Sequence, residues 1–328
     1  MAGSVLTAAA GSARAGDLDT LERVLSESPE VVAARDGHGR TLLDLACRAA
    51  TGDIAIPLVP GTPEQHAAVD HILAAGADPS AADDDGWTPL HTAAMAGHLD
   101  LARRLVAAGA SVRANAYGKE GGSPLSYALF YAKAYMAEAL TPLCPDNLRT
   151  AAALGRGLDR FFGRDGELTP AALEGLDFYA PVFFPARERT LERQEVLDEA
   201  LCWAARNDQR GTMQALVDLG ADVNANPFRG TPLLWACYSD RVEAAAWLLD
   251  HGADPDLRHD WGGEGHGVQA VAMHLAAQHG AVGCLNLLLD RGADHTVVDA
   301  AYGGTPLGWA EHGGATAAIE ILKRRAGG

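Results

Sequence analysis

The stretch His259-Asp260-Trp261-Gly262-Gly263-Glu264-Gly265-His266-Gly267 holds the densest set of groups able to do chemistry. Two imidazoles, two carboxylates and an indole share a backbone whose glycines can fold tightly. Imidazole titrates near neutrality and a carboxylate can orient it, so His259, Asp260, Trp261, Glu264 and His266 form a candidate acid–base loop. The spacing fits no metal-ligand pattern, and the glycines neither follow a strand nor open a dinucleotide-binding unit. Asp83-Asp84-Asp85 lacks the wider alternating spacing of a calcium loop and reads as a solvated acidic turn. The cysteines (Cys47, Cys144, Cys202, Cys237, Cys284) are scattered, with no Cys-x-x-Cys pair, so neither a zinc knuckle nor a redox dithiol is expected. No nucleophile elbow, phosphate-cradling loop or zinc-protease pattern occurs. These residues predict no metal and no cofactor.

Composition narrows the partners. The chain of 328 residues is 48% hydrophobic but only 6% aromatic, and its formal net charge is −17. An acidic surface repels phosphate backbones and anionic lipid, which argues against nucleic acid and membrane surfaces. No run of about 18 apolar residues and no basic-then-apolar start is present, so the expectation is a soluble, cytoplasmic protein with reduced thiols.

The elements that must position these residues repeat. Gly220-Ala221-Asp222-Val223-Asn224 leads through Gly230-Thr231-Pro232-Leu233 to Leu248-Leu249-Asp250-His251-Gly252-Ala253-Asp254, and the same grammar returns up to Leu287-Leu288-Leu289-Asp290-Arg291-Gly292-Ala293-Asp294. Each copy reads as a turn, a helix opened by Thr-Pro, a second helix ending in Leu-Leu, and a Gly-Ala-Asp exit. Asp85-Gly86-Trp87-Thr88-Pro89-Leu90-His91 opens a further copy. Threonine caps a helix with its hydroxyl, and proline at the first helical position loses no needed N–H. A period of about 33 residues with this grammar resembles the ankyrin repeat. The resemblance covers most of the chain and implies an all-α ankyrin-repeat solenoid of about nine helix-turn-helix units with an irregular central insertion. The expected division is residues 1–145 as N-terminal repeats, 146–193 as a degenerate repeat plus an aromatic insertion, and 194–328 as C-terminal repeats. The insertion carries Phe178-Tyr179-Ala180-Pro181-Val182-Phe183-Phe184-Pro185.

In the ankyrin family, ligands meet the hairpin finger before Thr-Pro and the end of the first helix. Those positions correspond here to His38 and Arg48, to Trp87 and Met95, and to Phe130 and Tyr131. Further along they are Arg206 and Asn207, then Phe228, Arg229 and Tyr238, then Gln278 and His279, and last Tyr302 and His312. The set is rich in the residue types that carry energy in desolvated contacts. The resemblance assigns His91 and His274, in the Thr-Pro-Leu-His position, to hydrogen bonds between repeats. Asp44 in the same position is a candidate buried acid, and Trp203, Trp235 and Trp309, in equivalent register, are expected to pack between repeats. The function implied is a scaffold holding a protein or peptide partner in a concave groove. The alternative is a small organic ligand or a cofactor-independent dehydration, cyclisation or isomerisation, using His and Asp/Glu under the Phe178–Pro185 insertion.

Overall fold

In a computed structural model, the described residues are 2–48, 62–116, 122–140, 147–173, 190–227, 230–260 and 268–327. The chain divides into two compact units with the boundary between Pro145 and Asp146. The first unit stacks helix pairs α1 (Ala2–Ala15) with α2 (Leu18–Glu27), α3 (Leu42–Cys47) with α4 (Pro63–Ala74), α5 (Pro89–Ala96) with α6 (Leu99–Ala107), and α7 (Pro124–Phe130) with α8 (Ala134–Leu140). The second opens with α9 (Leu148–Ala153), a 3-10 turn over Asp159–Phe161 and the single-turn α10 (Pro170–Leu173). Regular pairs then succeed one another: α11 (Arg193–Arg206) with α12 (Arg210–Asp218), α13 (Pro232–Tyr238) with α14 (Val242–Asp250), α15 (Ala272–Gln278) with α16 (Val282–Asp290), and α17 (Pro306–His312) with α18 (Thr316–Ala326).

Local sequence explains where these helices start and stop. Thr41, Thr62, Ser123, Thr231 and Thr305 each accept a hydrogen bond from the amide three residues on, and proline comes next after all of them except Thr41. Second helices exit through left-handed glycines such as Gly220 (φ 103°) and Gly252 (φ 91°), a conformation that side chains resist. Asp240 stands at φ 51° in the tight turn between α13 and α14. It is held there because its Oδ1 accepts the Cys284 amide of the next repeat at 2.8 Å.

The core reflects residue size. First helices are alanine-rich where they meet (Ala93, Ala94, Ala151, Ala152, Ala204, Ala205, Ala236, Ala276, Ala277), and all of these are fully buried. Small side chains let α3, α5 and α7 pack in one row, and α9, α11, α13, α15 and α17 in another. Second helices contribute the leucines and isoleucine below: Leu21, Ile72, Leu105, Leu216, Leu248, Leu288 and Leu322. Each such side chain buried stabilises the stack by about 1.5–3 kcal/mol.

The recurrent aspartates also have a structural cause. Asp36, Asp83, Asp222, Asp254 and Asp294 each accept the amide two residues on and so shape the turns. The amides of Asp222, Asp254 and Asp294 are in turn held by Asp198, Asn224 and Asp256 of the preceding repeat. Fingers are stitched directly as well, Asp84 N to His38 O at 3.1 Å and Ala300 N to Val268 O at 2.8 Å. Among the described residues the strand pair is one such finger, β1 (His259–Asp260) against β2 (Val268–Ala270), antiparallel and with an irregular register, so the glycine-rich stretch, expected to follow no strand, does come after a short one, which pairs only within its own finger.

Candidate functional site

Each unit places its chemically rich residues at the fingers and at the C-terminal ends of the first helices. The histidines inside α5 and α15 tie neighbours together. His91 Nδ1 accepts the Thr88 amide at 3.0 Å, so its Nε2 carries the hydrogen and donates to the Gly122 carbonyl of the next repeat at 2.7 Å. His274 does the same with Val271 N (3.1 Å) and Gly304 O (3.0 Å). Burial drives the pKa of His91 down to about 4 and lowers that of His274, so both serve as neutral bridges. The scaffold role that the resemblance assigned to them agrees with this geometry.

In the first unit, Asp44 is almost wholly buried, as its place in the repeat suggested. Its Oδ2 accepts Arg48 Nε at 2.7 Å, and Arg48 reaches Asp83 at 3.3 Å. Burial raises the pKa of both acids, against the pull of Arg48. Trp87 donates from Nε1 to Thr92 Oγ1 at 2.9 Å, and its ring meets Tyr127 edge-on at 4.6 Å. Trp87, Met95 and Phe130 are therefore packed between repeats rather than open to a ligand. Tyr131 is half-buried against Phe130, with ring centroids 5.3 Å apart, and His38 is exposed on its finger.

In the second unit a ladder crosses three repeats. The Arg206 guanidinium, buried at the end of α11, lies 4.6 Å from the Trp235 ring and 4.3 Å from the Tyr238 ring. Tyr238 is half-buried and its ring stands 4.3 Å from that of His279. Surrounding atoms and then the Arg206 charge push the His279 pKa down, although more than a third of the residue stays in water, which limits the shift. Trp309 packs on His274 of the preceding repeat at 5.1 Å and donates to Asp299 Oδ2 at 2.9 Å. Burial favours protonated Asp299, but bonds from Trp309 and from the Tyr302, Gly304 and Ala301 amides outweigh it and lower its pKa. That carboxylate fixes the finger on which Tyr302 stands 69% exposed, and His312 is exposed at the end of α17.

The expected groove positions thus separate. His38, His279, Tyr302 and His312 are open, and Tyr131 and Tyr238 are half open. Trp87, Met95, Phe130 and Arg206 are buried because alanine-lined helices approach closely enough to enclose them. Phe228 and Arg229 lie outside the described residues, as do Phe178–Pro185. So do Trp261, Glu264 and His266 of the glycine-rich stretch. His259, in β1, is 4% exposed, and burial, then the neighbouring His274, hold its pKa at about 3. A base that weak is neutral at ordinary pH and packed away from solvent. Among the described residues no group of three or more His, Cys, Asp or Glu side chains is placed to hold a metal ion. No described helix is long and apolar enough to cross a membrane.

Sequence reading missed the buried pair of Arg149 on α9 and Glu199 on α11, joined at 2.5 Å. The signal was slight: a charged residue in each helix, at positions that the alanines around them mark as interior.

A family model described as ankyrin repeats (3 copies) matches residues 61–147 and 187–259, and one described as ankyrin repeats (many copies) matches residues 233–289. E3 ubiquitin-protein ligase KEG of Arabidopsis thaliana is 28% identical over 238 residues, which is 70% of this chain and 12% of that protein. Ankyrin repeat and SOCS box protein 16 of Mus musculus is 44% identical over 81 residues, 24% of this chain and 16% of that protein. The chain spans less than a fifth of the length of either relative. A chain whose helix pairs recur where those models fall, over more than half its length, belongs to the ankyrin-repeat family.

Proposed function

We propose that the protein is a binding scaffold that takes a protein or peptide partner on its fingers and first-helix ends. The observation that carries this reading is the pairing of a fixed finger with an exposed ring. Asp299 organises the turn through four hydrogen bonds to Ala301, Tyr302, Gly304 and Trp309, and Tyr302 extends from it into water. A pre-organised aromatic loses little freedom when a partner covers it, and tyrosine is over-represented among residues that dominate binding energy. The ring of Tyr238 with the neutral His279 beside it offers a second contact able to stack and to exchange hydrogen bonds with a peptide backbone. Relatives named for ubiquitin ligation or a SOCS box contain further sequence that this chain does not match, so only the repeat-borne role is carried over.

The test is affinity capture from the native host with the intact chain and three variants. Tyr302→Ala and His279→Ala should each weaken retention of the same protein by about 1–3 kcal/mol, while Glu320→Ala on the exposed side of α18 leaves it unchanged. Equal retention by all three variants would contradict the proposed face.

A further inference from the structure

The turns between first and second helices set a common register in the second unit. Asp208, Asp240, Gly280 and Gly314 occupy them with φ of 56°, 51°, 64° and 65°. Asp208 accepts the Ala244 amide of the next repeat as Asp240 accepts that of Cys284. Equivalent places, three residues before the turn in one repeat and four after it in the next, hold Ala205 with Ala244, Cys237 with Cys284, and Ala277 with Ala318. All six side chains are fully buried. Alanine suffices at both places in the flanking repeats, and here sulfur stands at both.

The two thiols touch. That of Cys284 hydrogen-bonds to that of Cys237 and lies 4.0 Å from the Ala236 carbonyl. The start of α16 is seated on the turn after α13, since a Cβ at Gly283 would fall 3.1 Å from Asp240 Oδ1. Spacing along the chain predicted no redox dithiol, and stacking alone brings this one together. The Cys237 contact, then burial, then the Asp240 carboxylate raise the pKa of Cys284, so its thiol stays protonated at neutral pH and reacts slowly. A small uncharged oxidant needs only a local opening of the turn to reach it.

We propose that Cys237 and Cys284 are an oxidisable dithiol, closed by hydrogen peroxide into a disulfide that fastens the first helix of one repeat to the second helix of the next. The Cys284 sulfur attacks one peroxide oxygen, the O–O bond breaks, and the thiol proton joins the departing hydroxide as water. The Cys237 sulfur then displaces the oxygen of the resulting sulfenic acid, which leaves with the Cys237 proton as a second water. Two thiols and one peroxide thus give one disulfide and two waters. The link restricts the unfolded chain and so stabilises the second unit. It does not depend on the partner-binding reading.

In the test, the reduced intact protein is exposed to hydrogen peroxide, its remaining thiols are blocked in urea with N-ethylmaleimide, and its peptides are mapped by mass spectrometry. A peptide pair joined through Cys237 and Cys284, lighter by two hydrogens, should be the main product, and dithiothreitol should abolish it. Cys47, equally buried but set beside Asp44 and Arg48, should stay reduced. Peroxide should raise the urea midpoint of the second unit by about 1 M. Cys237→Ala, which restores the alanine of the flanking repeats, should remove that rise. Absence of the linked peptide, a dominant link to another cysteine, an unchanged midpoint once the link has formed, or the same rise in Cys237→Ala would each overturn the proposal.

Discussion

Replacing Arg149 by methionine tests whether the irregular fifth repeat is an integral part of the second unit. Arg149 and Glu199 side chains are 2% and 0% exposed and joined at 2.5 Å, linking α9 to α11. Charge centres about 4 Å apart attract by about 4 kcal/mol at an effective dielectric of 20, and the cost of desolvating both ions offsets most of this. Removing one partner leaves the other still desolvated, which costs about 3–5 kcal/mol, a large share of the 5–15 kcal/mol that holds a typical domain together. Five of the six tryptophans come after Asp146 in the chain, so urea unfolding watched by tryptophan fluorescence reports mainly on the second unit. Arg149→Met should shift that transition to markedly lower urea. Arg149→Met with Glu199→Leu, which removes both charges and keeps the bulk, should recover most of the loss. A single variant within about 0.5 kcal/mol of the parent, or a double variant no better than the single, would refute the reasoning.

Three other perturbations have outcomes set by the same geometry. His91 and His259 have folded-state pKa values depressed to about 4 and about 3, so their stabilising contribution is whole above about pH 6.5 and declines as pH falls toward those values. By pH 5 each should have lost about 2 kcal/mol, and His91→Gln should shrink the difference between urea midpoints at pH 7 and pH 5. Arg48→Met should destabilise the first unit by about 3 kcal/mol at pH 7, and by less at pH 4, where the buried Asp44 takes up a proton; thermal melts at the two pH values decide it. Thr305→Ala removes the cap bond to Gly308 N and should cost about 1 kcal/mol, read as faster amide exchange through α17.

Much of the architecture is local, and local features are legible in a sequence. Thr-Pro fixes a helix start, Gly-Ala-Asp an exit, and Asp-Gly a finger, because each acts through bonds to residues two or three positions away. The spacing of leucines and alanines shows which faces meet, since stacked repeats must bury them. His91 and His274 were readable too, because a repeating position repeats its partner.

Side-chain exposure could not be read the same way. Whether Trp87 or Arg206 faces water depends on how near the next helix comes and what it carries, and that distance is set by residues about 30 positions away. Trp87 is enclosed because the Tyr127 ring of the next repeat meets it edge-on, whereas Tyr302 on its finger remains open to water. The Arg149–Glu199 pair arises where the repeat pattern lapses. A sequence can mark where the repeat grammar changes, but only the packed chain shows which side chains come to face each other there.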